Sequence, residues 1–308
     1  KMDLRSHTNG SNNKLSRQIR TRLRPLTFSF MTKDFAEVPI QDVRNYWNAR
    51  PCNIRHSTAE IGTEEYFNQV EARKYFVEPH IPGFAEFEKW RGKKVLEVGC
   101  GLGTDTINFA RAGAEVTAID LSSESLALAK KRAEVFGLND KIKFYEANAE
   151  QLVDFIPAEK YDLIYSFGVI HHSPHPDGIL RHLRENFTHA DTKLKIMVYY
   201  RYSWKVLWMV LIEGGKFWKL DDIIAKHSEA QTGCPITYSY SKKTAKALAG
   251  DGFEIDNIFV DHIFPYQIPK YVKYEYEYVW YFRMLPKPLF RWLERRLGWH
   301  LCFDAHVK

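Results

Sequence analysis

The chain has 308 residues, of which 45% are apolar and 15% aromatic, enough to bury the core of one enlarged α/β domain or of a domain plus a cap. Its net charge of +6 resides in residues 1–24, where seven Lys and Arg face Asp3 alone, so the remaining body is neutral, which argues against a broad nucleic-acid surface. The four cysteines show no CxxC spacing and no run of about 18 apolar residues occurs, so disulfides, structural zinc and a membrane span are not expected and a reducing, cytoplasmic setting is favoured.

Residues 1–30 read as a basic, mostly disordered tail, with an Arg-rich, acid-poor targeting signal as the alternative. Residues 31–92 read as short lid helices. Within them, 64–77 has helical spacing through Tyr66, Phe67, Val70 and Tyr75, and Pro79 and Pro82 interrupt it. From residue 93 strand and helix alternate. Strands are expected at 95–98, 116–120, 141–146, 161–166 and 194–200. Helices are expected at 104–112, closed by Gly113, and from the N-cap Ser122 to Phe136. This alternation implies a parallel sheet with helices on both faces. Residues 201–245 are helical and aromatic, 252–263 read as a strand, 285–297 as an amphipathic helix and 299–308 as a last strand. The 264–298 connection is far longer than a hairpin needs. Residues 93–308 are therefore expected to form a core with cap insertions at about 201–245 and 264–298.

The richest signal lies at 95–120. Val95-Leu96-Glu97-Val98 runs into Gly99-Cys100-Gly101-Leu102-Gly103, a helix follows, and the next strand ends in Asp120. Glycines let the backbone turn tightly and bring its N–H groups to a ligand. An acid at the next strand end can accept both hydroxyls of a ribose. A dinucleotide site prefers GxGxxG; here the spacing is GxGxG, and Glu97 would repel a diphosphate but suits an ammonium and a sulfonium. The segment resembles motifs I and II of class I S-adenosylmethionine-dependent methyltransferases. Residues 161–174, which include Gly168-Val169-Ile170-His171-His172-Ser173-Pro174, resemble motif IV of the small-molecule branch, including the ubiquinone and menaquinone biosynthesis methyltransferases.

The resemblance implies a Rossmann-like seven-stranded mixed sheet with helices on both faces, an N-terminal helical lid, and a C-terminal cap insertion before an antiparallel last strand beside the fifth. It implies S-adenosylmethionine as cofactor and S-adenosylhomocysteine as product. Gly99, Cys100, Gly101 and Gly103, with Thr104 and Asp105, would hold the methionine end, and Glu97 would face its ammonium directly or through water. Asp120 would hold the ribose, Leu121 would pack on adenine, and Asn148, Ala149 and Glu150 would read its edge. Asn148 departs from the acid usual there; capping the next helix is its alternative role. Ser166 and Phe167 complete the cofactor set, and Tyr66 is placed to reach the methionine carboxylate. His171 or His172 would deprotonate or position an acceptor oxygen. Arg55 or His56, in a polar stretch ahead of the core, and Tyr240 are candidate substrate contacts. No metal is expected, because the His171, His172 and His175 loop carries two prolines and no obvious fourth ligand.

The expected partner is a small-molecule acceptor of natural-product, quinone-like or sugar type. RNA or protein methylation through the basic tail is an alternative, although the fourth strand lacks an Asn-Pro-Pro-Tyr pattern. A non-catalytic cofactor-binding subunit is another. Residues 204–212 could cover the site, pack in the core, or rest on a membrane interface.

Overall fold

A computed structural model describes residues 34–231 and 233–308, and the 1–30 tail lies outside the described residues. Three helices precede the sheet: α1 (Ile40–Ala49), α2 (Glu64–Val77) and α3 (Ile81–Ala85). Strand and helix then alternate as β1 (Lys94–Val98), α4 (Thr104–Arg111), β2 (Glu115–Asp120), α5 (Ser123–Val135), β3 (Ile142–Glu146), β4 (Tyr161–Phe167), α6 (Pro176–Phe187) and β5 (Thr188–Tyr199). The C-terminal third holds α7 (Trp204–Ile212), α8 (Leu220–Gln231), α9 (Lys242–Ala249), β6 (Phe253–Asp261), α10 (Ile268–Tyr271), α11 (Trp280–Arg283), α12 (Lys287–Leu297) and β7 (His300–Val307).

The strands form one mixed sheet in the order β3-β2-β1-β4-β5-β7-β6. The first five are parallel, and β7 runs antiparallel between β5 and β6. This is the seven-stranded architecture expected from the sequence. β5 begins at Thr188, not at 194, because Thr188 already pairs with Tyr161 across an irregularity in the ladder. The polar run at 188–193 hid that start.

Successive strand residues feed opposite faces. Val95, Leu163 and Cys302 join the core under α4, α5 and α7, whereas Leu96, Ile164 and Phe303 join the core under α6 and α9. Local chemistry sets the helix starts. The Ser122 side chain accepts from Ser125 N to cap α5, as expected, Thr63 caps α2, and Ser241 with Thr244 forms a capping box on α9. The chain order reverses between β1 and β4, which opens a crevice at the carboxyl ends of those strands. Because β7 is antiparallel, its first residue, His300, lies at that same edge. Among the described residues no helix is long and apolar enough to cross a membrane.

Candidate active site

The turn between β1 and α4 rests on Gly99, Gly101 and Gly103, whose φ values are 81°, 54° and 70°. Each glycine answers a different need. A Cβ on Gly99 would lie 2.3 Å from Cγ2 of Val169, so the chain after β4 closes over it. A Cβ on Gly103 would lie 3.1 Å from Cβ of Ala129 on α5. Gly101 has nothing within 4 Å of that position, because it faces a cavity. The loop amides are not bare, which corrects the expectation of a cradle of free N–H groups. Gly99 and Cys100 donate to the Ile119 carbonyl at 2.8 and 3.0 Å, and Gly101 donates to Asp120 Oδ2 at 2.8 Å. The loop is tied to β2, and at Gly99 and Gly101 it offers a ligand backbone without side chains.

Asp120 also accepts from Ser122 N through Oδ1 at 2.8 Å, which fixes the carboxylate on the cavity wall. Burial raises its carboxyl above the ordinary range, and the amides of Ser122 and Gly101 counter part of that rise. Each oxygen keeps acceptor capacity for a diol. Glu97 is set behind the loop instead of on the wall. It accepts from Thr106 Oγ1, and burial, then the Asp105 charge, push it up to about 8. Asp105 also turns inward. It accepts from Lys74 Nζ at 2.8 Å and from the hydroxyls of Tyr75 and Tyr165, both at 2.9 Å, so its polar capacity is used within the protein.

The cavity, about 1040 Å³, runs from the glycine loop across the ends of β4 and β5 to the residues after β6. Small-ligand pockets reach ~1,000 Å³, so this one has room for a nucleoside and a second molecule. Gly99, Cys100, Gly101, Thr104, Asp120, Leu121, Asn148, Ala149 and Phe167 line its inner end, and α1 adds Ile40, Val43 and Trp47. Asn148 caps the following turn by accepting from Glu150 N at 3.1 Å, and it still reaches the wall. Gly103, Glu150, Ser166 and Tyr66 do not line the cavity. Glu150 accepts from Ser173 Oγ and from His175 N, Ser166 Oγ donates to the Val98 carbonyl at 2.9 Å, and Tyr66 OH donates to the Ile54 carbonyl at 2.8 Å. Each of these three fixes a segment next to the wall.

A Methyltransferase domain family model matches residues 89–217. The ubiquinone biosynthesis O-methyltransferase of Pasteurella multocida is 31% identical over 177 residues, which is 50% of this chain and 72% of that protein. The chain belongs to the class I S-adenosylmethionine-dependent methyltransferases. The ubiquinone biosynthesis O-methyltransferase of Actinobacillus pleuropneumoniae is 42% identical over 93 residues, 29% of this chain, and the chain spans 39% of that relative's length. The crystal structure of magnesium protoporphyrin IX methyltransferase from Synechocystis PCC 6803 with bound SAH has a TM-score of 0.55 at 18% identity, covering 88% of this chain and 100% of that one. That last likeness is one of fold.

The outer end of the methyltransferase cavity holds the remaining charged groups. His172 is on the wall. Its Nδ1 lies 2.7 Å from the Ile236 carbonyl, to which it donates, and its Nε2 lies 3.5 Å from Glu229 Oε1. Burial opposes a charge on this ring, yet Cys234 and Glu229 together raise it to about 10. Glu229 also accepts from Tyr199 OH, and His172 holds its carboxyl down at about 2 against the effect of burial. His171 is not on the wall. Its ring packs 4.0 Å from the Tyr199 ring, neither nitrogen has a partner among the described residues, and burial followed by the His172 charge favours the neutral form. Of the adjacent pair, only the His172 ring lines the cavity.

His56 reaches the wall with Nε2 3.3 Å from Tyr271 OH. Arg55 is exposed and offers its carbonyl to Tyr274 OH at 2.8 Å, so it holds the 264–298 segment and not the cavity. Tyr240 is buried in the core with its amide donating to the Tyr199 carbonyl at 2.8 Å. Both segments expected as caps contribute wall residues, among them Trp204 and Trp208 from the first and Phe264, Tyr266, Tyr271 and Tyr281 from the second. Sequence reasoning missed Glu78, Lys205, Glu229, His262 and His300, all on the wall. Glu229 follows the pattern of any solvated helix acid. The His262 and His300 pairing was readable only once the two last strands were known to be neighbours.

Proposed function

We propose that this chain transfers a methyl group from S-adenosylmethionine to a hydroxyl of a small aromatic acceptor bound in the outer half of the cavity. The observation that carries the reading is one continuous cavity, with Gly101 and Asp120 at one end and His172 among aromatic cap residues at the other. When bound, the cofactor supplies a methyl group on a positively charged sulfur. Asp120 would accept from the ribose hydroxyls, Leu121 would pack on the adenine, and Asn148 with Ala149 would line its edge. Cys100, Gly101 and Thr104 line the methionine end. His172, its tautomer set by the Ile236 carbonyl, takes the acceptor proton at Nε2, and Glu229 stabilises the imidazolium that forms. With that proton held at His172, the acceptor oxygen would be free to take the methyl group that the cofactor would supply, the sulfur keeping the electron pair of the broken bond. Tyr and Trp rings favour a flat acceptor, and the matched relatives are O-methyltransferases of ubiquinone biosynthesis, which supports oxygen on a quinone-like ring.

The test is incubation with methyl-labelled S-adenosylmethionine and a panel of hydroxylated aromatics, alongside RNA and protein fractions. Label in a stable aromatic ether, with stoichiometric S-adenosylhomocysteine, is expected. Label confined to RNA or protein, or cofactor binding with no transfer to any acceptor, contradicts the reading.

A further inference from the structure

We propose that Glu78, His262 and His300 form a site for one divalent transition-metal ion at the outer end of the cavity, with open coordination positions turned toward the acceptor. The use of the ion rests on the methyl-transfer reading; the existence of the site does not. The ligand-capable atoms of the three side chains all lie within 4.8 Å of one another, and Glu78 Oε1 is 3.5 Å from His300 Nε2. A tetrahedral ion with bonds of ~2.1 Å holds neighbouring ligand atoms ~3.4 Å apart, so the group needs only a small closure. Two imidazoles and one carboxylate suit zinc, cobalt, iron or nickel better than magnesium or calcium.

All three side chains line the cavity, and His262 and His300 are 7% and 4% exposed. Among the described residues the His262 ring makes no hydrogen bond, and neither does the Glu78 carboxylate. The two groups line the same cavity, and Glu78 has His300 beside it at 3.5 Å. The third ligand is already oriented. His300 Nδ1 lies 3.0 Å from His80 Nε2, and with the proton on Nδ1 the Nε2 lone pair would face the space beside Glu78.

The backbone is shaped to bring the two imidazoles together. Asp261 pairs with His300 at the shared end of β6 and β7. His262 follows with φ at 70°, a left-handed conformation that costs a non-glycine residue of order 1 kcal/mol. It is held there because its amide donates to Asp261 Oδ1 at 2.7 Å and its carbonyl accepts from Trp299 N at 2.7 Å. Arg291 grips the Asp261 carboxylate at 3.3 Å. Gly298 permits the approach, since a Cβ there would lie 2.0 Å from the Asp261 carbonyl oxygen. The outcome is two imidazole centroids 4.6 Å apart at the cavity edge.

A divalent ion at this position acts as a Lewis acid. The acceptor hydroxyl coordinates through oxygen, its O–H becomes more acidic, and the proton departs to His172 or water. The oxygen then forms the bond to the methyl carbon while the sulfur–carbon bond breaks toward sulfur. No electron changes owner between metal and substrate.

The experiment uses the full chain after chelator treatment and removal of any affinity tag. Cobalt(II) is titrated while visible ligand-field bands and bound metal after dialysis are recorded. S-Adenosylhomocysteine binding and circular dichroism are measured on the same samples. One equivalent of cobalt with ligand-field bands is expected. Glu78→Gln and His262→Ala should each weaken binding by at least about tenfold, and His80→Ala by about tenfold, with His172→Ala unchanged. Stoichiometric cobalt in a chain that transfers no methyl group supports the site and leaves the methyl-transfer reading to fail alone. Folded wild-type chain that binds S-adenosylhomocysteine but takes up no cobalt overturns the proposal. Uptake unaltered in both Glu78→Gln and His262→Ala overturns it equally.

Discussion

Gly99 and Gly101 stand two residues apart in one loop and answer to different masters. Gly99 carries the fold: a methyl group there meets Val169 at 2.3 Å on a backbone with φ at 81°. Gly99→Ala should therefore cost at least ~2 kcal/mol in urea denaturation. Gly101 has empty space above it, so Gly101→Ala should cost only ~1 kcal/mol for its left-handed backbone yet weaken S-adenosylhomocysteine binding clearly. Equal stability losses with unchanged binding would contradict that division. At the other end of the cavity, His172 is faced by Glu229, Cys234, Tyr199 and His171, and Lys205 adds a cation beside Glu229. Its charged form is favoured, so it gains the neutral form a base needs only as pH climbs toward about 10. The acid limb of kcat should then lie well above the ordinary histidine value of ~6.5. Glu229→Gln removes a stabilising negative charge, so the limb should move to lower pH, and His172→Ala should lower kcat by about 100-fold or more. A limb that stays in place in Glu229→Gln denies the pairing.

Two side chains of α2 hold the 264–298 segment, Arg73 and Phe76, the latter against the rings of Tyr266 and Tyr276. Arg73 stacks over the rings of Tyr271 and Tyr274 at 4.2 and 4.0 Å and donates to the Tyr271 carbonyl at 2.6 Å. Stacked cations of this kind contribute ~1 kcal/mol each, beside the hydrogen bond. Arg73→Ala should raise KM for the acceptor by about tenfold and leave cofactor affinity unchanged, because Tyr271 and His56 line only the outer wall. A matching loss of cofactor affinity would place the segment elsewhere in the reaction. In the sequence Arg73 read either as a partner for the methionine carboxylate or as a charge on a surface face, because its actual partners arrive from a segment far along the chain. By contrast α5 was legible from Ser122 onward, since its cap and its apolar face are local. The strands from β1 to β4 were legible for the same reason. β5 was shortened, because its first residues are polar and their pairing with β4 is a tertiary fact.

Arg132, on α5, ties α2 to the start of α4. Its guanidinium is fully buried and donates to Thr104 Oγ1 at 2.7 Å, to the Phe67 carbonyl at 3.2 Å and to Glu71 at 2.7 Å. Glu71 keeps Arg111 at 2.8 Å, so Arg132→Ala loses the buried packing and leaves the Phe67 carbonyl and Thr104 hydroxyl without their donor, and should cost ~2 kcal/mol in denaturant unfolding; a loss below ~0.5 kcal/mol would contradict this. The candidate site divides between local and long-range signals. Gly101, Asp120 and Leu121 were legible because strand, turn and acid lie within one short stretch. His171 and His172 were inseparable, since only the turn after β4 decides which ring reaches the cavity. Glu78, Glu229, His262 and His300 meet through pairings that no local pattern encodes. The central claim is the nucleoside grip of Gly101 and Asp120, and calorimetric titration of the full chain with S-adenosylhomocysteine reads it directly. Saturable binding at one site per chain is expected, weakened about 100-fold in Asp120→Ala, where two charge-assisted hydrogen bonds are lost. Folded wild-type chain that takes up no S-adenosylhomocysteine, or Asp120→Ala that binds it as tightly as wild type, would contradict it.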